Sequence, residues 1–291
     1  MKIGVPSGVG DVSWIVSKLK HAGTFEYVVA NGWPHRTVPY LELLPEVVAS
    51  ASYGDFQYDD ILAFEQARGI NGATRWSDIV DSGAGTFLLE PNRHLEEGKP
   101  LADWLPDLPT DYHYQMVTTE RHRTRATKLL HGLPRPLWGI SAASYRGSEA
   151  WKTWGYEQWS RFLKLFLAEA EGTIVLMGGF WDDLTSSLSS EDGYPDLVGK
   201  TDMGTAVEVL RHLDGYVGFS SGLGMLNTVD WGKTFLLWPE HQTPLSTSWA
   251  DPDMLEQRTY MASLWLEPEE VFRRVRMWLK IPDHPERHRW R

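Results

Sequence analysis

The chain has 291 residues, of which 42% are hydrophobic and 23% charged, a composition typical of a globular protein with one large or two ordinary domains. Its net charge of −11 opposes binding of the whole molecule to a nucleic-acid backbone, and the lack of cysteine excludes disulfides, thiolate metal sites and cysteine nucleophiles. No apolar run approaches the ~20 residues of a membrane span, and the first residues show no secretory signal, so a cytoplasmic protein is expected.

The first half of the chain alternates short apolar runs with helical patterns. Strands are predicted at 2–6, 27–31, 59–64 and 86–90, and a helix at 11–21. Segment 91–116 is rich in proline and acidic residues, which indicates irregular structure, and RHRTRATKLL at 121–130 has the pattern of a basic helix. The glycine and two prolines of HGLPRP end this helix and form the best candidate for a linker.

A second series of strands and helices follows the linker. Strands are predicted at 137–143, 173–179, 215–221 and 233–239, and helices at 156–172, 205–214 and 267–280. Because this alternation is typical of parallel sheets with covered faces, the sequence predicts an α/β protein with two Rossmann-like, doubly wound domains facing a cleft. The predicted domains are 1–134 and 135–266, and the closing helix and basic tail at 267–291 are expected to pack back on the first domain.

Glycines and polar residues follow the first predicted strand of each half. In PSGVGD, Gly8 and Gly10 would let a ligand approach the backbone, and Asp11 is either a helix N-cap or part of a site. In SAASYRGSEAWKTW, hydroxyl residues follow the strand and a lysine lies between two tryptophans, either solvated or bound to a phosphate. The residues concerned are Ser141, Ser144 and Lys152.

Two later strands end in comparable segments. In MGGFWDD, Gly178 and Gly179 precede Asp182 and Asp183, which could accept hydrogen bonds from ribose hydroxyls or serve as first-turn acids of a helix. In VGFSSGLGML, several backbone N–H groups would lie at a helix start and form an anion site, unless the segment is only a tight turn with a serine N-cap. The residues of that turn are Ser220, Ser221, Gly222 and Leu223.

In this order, the motifs resemble those of the family-9 glycosyltransferases, the ADP-heptose:lipopolysaccharide heptosyltransferases, which have the GT-B fold. The resemblance is clearest over 137–240 and at 3–21. It implies that Asp11 is the catalytic base, that Lys152 binds phosphate and that the backbone of residues 220–223 holds the donor diphosphate. The segment VGKTDM is similar to the Gly-Lys-Thr element of the family, which adds Thr201 to the donor site.

The resemblance also implies an activity. A sugar would pass from a nucleotide-diphosphate donor on the second domain to an acceptor hydroxyl on the first, without a metal and with the nucleotide-sugar as co-substrate rather than a cofactor. Ser220 and Met225 stand where the family has Asp and His, so the donor sugar is open. The alternatives are a sugar-nucleotide epimerase of the same architecture and a non-catalytic carbohydrate or nucleotide binder.

Basic runs on an acidic protein suggest where an acceptor could bind. RHRTRATK and the terminal ERHRWR are either solvated surface or a contact for an anionic, hydroxyl-bearing acceptor. Such an acceptor could be the lipopolysaccharide core or a modified base in nucleic acid. The predicted acceptor-side residues are Gly8, Gly10, Arg121, Arg123 and Arg125.

Overall fold

The computed structural model describes residues 1–6, 8–30, 34–53, 75–81, 87–142, 154–192, 194–239, 247–250 and 252–281. The chain divides into two compact units, Met1–Thr118 with Gln242–Pro252 and Thr119–His241 with Asp253–Arg291. Across the described ranges, no helix is both long enough and apolar enough to cross a membrane.

The first unit is built around a four-stranded parallel sheet with the strand order β3-β2-β1-β4. Its strands are β1 (Lys2–Val5), β2 (Phe25–Ala30), β3 (Val47–Tyr53) and β4 (Phe87–Leu88). Its helices are α1 (Val9–Leu19), α2 (Pro34–Leu41), α3 (Trp76–Asp81) and α4 (Asn92–Glu96), followed by a 3-10 turn at Leu101–Asp103.

A buried lysine fixes α1, the helix that carries Asp11. The Lys18 side chain is almost fully buried, and its Nζ donates to the carbonyl oxygens of Ala102 at 2.9 Å and Leu108 at 3.1 Å. Burial lowers the Lys18 pKa to about 8, while the nearby Asp103 charge opposes the shift. This side chain therefore ties the irregular segment after the 3-10 turn to the back of α1.

The second unit contains a five-stranded parallel sheet with the strand order β6-β5-β7-β8-β9. Its strands are β5 (Leu137–Ser141), β6 (Thr173–Leu176), β7 (Gly215–Phe219), β8 (Thr234–Trp238) and β9 (Thr259–Ser263). Its helices are α5 (Glu120–Leu130), α6 (Tyr156–Glu169), α7 (Asp183–Asp192), α8 (Met203–His212), α9 (Gly222–Val229), α10 (Pro252–Gln257) and α11 (Pro268–Leu279). Strands β5, β7 and β8 are buried at all five positions, as expected for central strands covered on both faces.

The α/β fold with parallel sheets was predicted correctly, but the structure corrects the position of two helices. The closing helix α11, which was expected to pack back on the first domain, belongs to the second unit and packs there on α6: the Phe272 ring meets Phe162 and Phe166 at centroid distances of 6.2 and 5.8 Å. Arg161 of α6 also pairs with Glu269 at 2.7 Å. Helix α5, placed before the predicted boundary at residue 134, belongs to the second unit as well.

The predicted strands also differ from the observed ones at the sheet edges. Strands β3 and β9 were not predicted, and both are edge strands; Val48 in β3 is 71% exposed. An edge strand has fewer apolar positions, so VVASASY lacks the continuous apolar run that identifies a central strand. The strand predicted at 59–64 lies outside the described residues.

Candidate functional site

The segment VGFSSGLGML joins the end of β7 to the start of α9. Helix α9 begins at Gly222 after the N-cap Ser221, whose side chain makes no capping hydrogen bond. The Ser221 carbonyl accepts the N–H of Met225 at 2.9 Å, so the N–H groups of Gly222, Leu223 and Gly224 lie in the first turn and have no intrahelical acceptor. This arrangement can bind an anion, because these donors and the positive end of the helix dipole point the same way.

The ends of the neighbouring strands lie along the same edge of the sheet. Ser141, the last residue of β5, pairs in register with Gly218 of β7 and is buried. After β6, the Met177 N–H donates to the Ile140 carbonyl at 2.8 Å, which carries the sheet pairing up to Gly178 and Gly179. The structure thus brings the segments starting at residues 141, 178 and 220 to one edge, as their place after parallel strands predicted.

Asp182 lies immediately before α7 and caps it, so it is not a first-turn acid, and its binding of ribose hydroxyls stays a prediction. Its carboxylate accepts the Thr185 N–H at 3.0 Å and the Thr185 hydroxyl at 2.6 Å, immediately before α7. Burial raises the Asp182 pKa to about 6, although the two hydrogen bonds from Thr185 oppose the shift. The Thr185 hydroxyl also accepts the Ala142 N–H at 3.1 Å, so this pair of side chains links the end of β5 to α7.

The glycines before Asp182 leave room for the same turn. A Cβ atom at Gly178 would lie 2.5 Å from Asp182 Oδ2, and one at Gly179 would overlap the Trp181 ring. Asp183, at the first position of α7, is exposed. The lack of a side chain at these two positions therefore makes room for Asp182 and Trp181, whether or not a ligand also approaches the backbone there.

Thr201 lies next to another helix start. It precedes Asp202, the N-cap of α8, whose carboxylate accepts the Thr205 N–H at 2.8 Å. Because this cap begins α8 at Met203, the helix starts two residues earlier than the sequence pattern predicted. Gly199 in the preceding turn has a φ of +67°, a conformation that favours glycine.

Asp11 is the third residue of α1 and not its N-cap, so the capping alternative predicted for it is wrong. The N-cap is Gly8, and Asp11 lies partly buried in the first turn, where a negative charge is favourable. Its carboxylate folds back over Gly8, since a Cβ at that glycine would overlap Asp11 Oδ2. Gly10 is the second residue of the same helix.

The three arginines predicted on the acceptor side lie on α5 in the second unit. Arg121 is exposed, Arg123 pairs with Glu120 at 3.1 Å, and Arg125 pairs with Asp202 at 3.3 Å. Arg125 also donates to the Lys200 carbonyl at 2.6 Å, which ties α5 to the segment before α8. Arg125 therefore contributes to the packing of the second unit itself.

The remaining predicted site residues have these outcomes. Ser220 is partly exposed between β7 and the N-cap, and Met225 is buried in α9. Ser144 and Lys152 lie outside the described residues. In the described part of the chain, no three His, Asp or Glu side chains come together as potential metal ligands.

Sequence reasoning missed two buried hydroxyl residues at this edge, Thr185 and Tyr216. Tyr216 lies in β7, two residues before Gly218, and it is fully buried. A tyrosine followed two residues later by glycine in a strand places both on one face, and this spacing was the available signal.

Comparison with known proteins gives the same family that the motifs resemble. The model of glycosyltransferase family 9 (heptosyltransferase) matches residues 88–228. No curated protein sequence is significantly similar to this chain. The segment with Asp11 lies outside the matched residues, so its proposed role depends on the opening motif alone.

Three solved structures are similar over nearly the whole chain. The family-9 glycosyl transferase from Veillonella parvula DSM 2008 has a TM-score of 0.63 at 14% identity, with 96% of this chain and 97% of that chain covered. The E. coli ADP-heptose lps heptosyltransferase II has a TM-score of 0.60 at 18% identity, with 96% and 99% covered. The E. coli heptosyltransferase WaaC with ADP has a TM-score of 0.57 at 15% identity, with 95% and 99% covered.

These likenesses confirm the predicted resemblance and the fold. The chain is an α/β protein structurally similar to the GT-B heptosyltransferases. The match of the family-9 model to residues 88–228 supports a glycosyltransferase that transfers a sugar, with its donor still to be identified.

Proposed function

We propose that this protein transfers a sugar from a nucleoside-diphosphate donor to an acceptor hydroxyl and that the second unit binds the donor. The observation that carries this proposal is the start of α9 at the carboxyl end of a central strand. There, the first-turn N–H groups of Gly222, Leu223 and Gly224 are available to a diphosphate. Ligands of open α/β sheets bind at this edge.

In the proposed reaction, the acceptor oxygen bonds to the anomeric carbon as the bond from that carbon to the phosphate oxygen breaks. Asp11 takes the acceptor proton, and the nucleoside diphosphate leaves with the bonding electrons. The amides of the α9 start and the charge of Lys152 offset the negative charge that develops on the diphosphate. No divalent metal is required, because these groups supply the stabilisation that a metal gives in other transferases.

The donor is expected to differ from the ADP-heptose named for the E. coli relative. Ser220 offers one donor and a weak acceptor where the family has a carboxylate that accepts several hydrogen bonds. Met225 is buried and cannot donate to a phosphate as histidine can. Neither change alters the backbone donors of the α9 start, so a nucleoside diphosphate is still expected to bind, with a sugar other than heptose.

The acceptor is proposed to be anionic and to carry the reacting hydroxyl. Exposed Arg121 and the neighbouring Arg123 of α5 are the candidate contacts. The lipopolysaccharide core, named for a relative, and a modified base in nucleic acid are the two acceptors to be tested.

The proposal is tested by finding the donor and following its sugar. Mass spectrometry of the purified protein identifies any nucleotide-sugar that it carries, and a thermal-shift panel of ADP-, GDP- and UDP-sugars ranks the donors, because a ligand stabilises the fold in proportion to its binding free energy. The best donor is then incubated with and without each acceptor. Acceptor-dependent release of the nucleoside diphosphate is expected.

Other outcomes would assign a different function. Conversion of the donor sugar into its epimer without any acceptor would identify an epimerase. Donor binding with neither transfer nor hydrolysis would identify a binding protein. If ADP-heptose gives the largest thermal shift and is also turned over fastest, the interpretation of Ser220 and Met225 is wrong.

A further inference from the structure

The Tyr216 ring lies against three glycines, and its hydroxyl fits where it does because Gly218 has no side chain. A Cβ atom at Gly218 would lie 2.7 Å from the Tyr216 hydroxyl and 2.9 Å from Cε1. A Cβ at Gly139 would lie 3.4 Å from Cδ2, and one at Gly224 would lie 3.5 Å from Cε1. The ring therefore runs along β7 between β5 and α9, and it brings the hydroxyl to the carboxyl edge of the sheet.

The Tyr216 hydroxyl is buried at this edge without a satisfied hydrogen bond. The hydroxyls of Ser141 and Ser221 lie close to it, but within the described ranges no group is in hydrogen-bond geometry with it. Burial raises the Tyr216 pKa well above its usual range; the two serines oppose that shift, and the Asp182 charge adds to it. The hydroxyl therefore stays protonated and able to donate at any working pH.

A buried hydroxyl without a hydrogen bond destabilises a fold, and phenylalanine would fill the same space without that cost. The hydroxyls of Ser141 and Ser221 both lie close to the Tyr216 hydroxyl, and of the two only Ser221 belongs to the start of α9. Ser221 is the N-cap of α9, and its hydroxyl makes no capping bond. The start of α9 thus combines two independent observations, first-turn N–H groups without an acceptor and a buried hydroxyl directed at the N-cap side chain.

We propose that Tyr216 is a positioning residue of the donor site: once a diphosphate is bound, Tyr216 donates to the Ser221 hydroxyl and so directs the Ser221 proton to an oxygen of that diphosphate. This inference rests on the proposed function, since it requires a nucleoside diphosphate at the start of α9. We call the two hydrogen bonds in series, from Tyr216 to Ser221 and from Ser221 to the diphosphate, the relay. Hydrogen bonds in series strengthen each other, so the relay adds to the affinity for the diphosphate. The ligand class that it recognises is the diphosphate, independent of base and sugar.

The test measures stability and affinity in the same variants. ADP, GDP and UDP are titrated calorimetrically into the wild-type protein, and the tightest of the three is then used as the probe. Tyr216→Phe is expected to melt at the same or a higher temperature and to bind the probe about three- to tenfold more weakly, the range of one net hydrogen bond. A purely structural tyrosine would lower the melting temperature instead.

A double-mutant cycle tests the route through Ser221. Ser221→Ala should also weaken binding, and adding Tyr216→Phe to it should weaken binding no further, because the relay has already been removed. Tyr27→Phe is the matched control, since the Tyr27 hydroxyl is buried in the first unit, also without a hydrogen-bond partner in the described structure. This control should leave the affinity for the probe unchanged.

The outcomes separate this inference from the proposed function. Wild-type protein that binds none of the three diphosphates overturns the proposed function, and the inference with it. If the wild type and Tyr216→Phe bind the probe with equal affinity, the inference is overturned but the proposed function is not. Additive effects of the two substitutions, or a lower melting temperature of Tyr216→Phe, would likewise reject the relay.

Discussion

Asp182 should make the free energy of unfolding depend on pH, and the Asp182→Asn variant isolates its contribution. The side chain is 2% exposed and accepts two hydrogen bonds from Thr185, at 3.0 and 2.6 Å. Burial raises the Asp182 pKa from 3.8 to about 6 despite these bonds, and the Asp183 charge adds to the rise. Asparagine is neutral at every pH and keeps an acceptor for the Thr185 N–H.

The sign of the effect follows from proton binding. The folded protein binds the Asp182 proton more tightly than the unfolded chain does, so protonation of this group favours the folded state. That stabilisation is fully present below pH 3.8 and is lost as the pH rises through 6. A pKa difference of about two units corresponds to roughly 3 kcal/mol in the free energy of unfolding.

Urea unfolding of both proteins between pH 4 and pH 7.5 measures this contribution. The free energy of unfolding of Asp182→Asn should gain about 2.5 kcal/mol relative to the wild type across that interval. Glu157→Gln controls for the loss of a charge in the first turn of a helix, because Glu157 is exposed in the first turn of α6. A difference between wild type and Asp182→Asn that stays constant with pH would refute the reasoning.

The remaining predictions concern the proposed chemistry. Asp11→Asn should keep the donor affinity and lower the turnover by ~10²–10⁴, the effect of a lost general base. Kinetics with the identified donor measure this loss, and Asp78→Asn, a change of an exposed acid on α3, is the control. Unchanged turnover of Asp11→Asn would leave Asp11 with the role of a first-turn acid only. Lys152→Ala should weaken nucleotide binding about tenfold or more, since a charged hydrogen bond contributes ~1.5–3 kcal/mol; equal affinities by calorimetry would reject this role. Chelation with EDTA should leave transfer unchanged, whereas a loss that manganese restores would point to Asp182 and Asp183 as ligands.

Much of the proposed donor site could be predicted from local sequence. Apolar runs such as those of β5, β7 and β8 identify strands buried on both faces, and glycines and serines directly after them identify the edge where ligands bind. The start of α9 was predicted for this reason, because a strand, a turn and a helix start are adjacent in the chain. The resemblance to glycosyltransferase family 9 depended on the same segments.

Other features depended on contacts between distant residues, which no local pattern contains. The edge strand β3 lacks an apolar run, and its residues from 47 to 52 are exposed or partly exposed. The sequence did not show that Asp182 caps α7, because the cap depends on hydrogen bonds from the Thr185 N–H and hydroxyl.

The sequence by itself therefore determined the alternation of strands and helices, the parallel sheets and the edge that carries the site, since hydrophobic periodicity and turn residues act within a few positions. Tertiary structure decided that α5 and α11 pack in the second unit and that the Tyr216 hydroxyl meets the start of α9. The physical reason is that packing depends on how side chains far apart in the chain fit together. The Tyr216 ring lies against glycines of two strands and a helix, of which its hydroxyl requires Gly218, and these contacts exist only once those elements are packed.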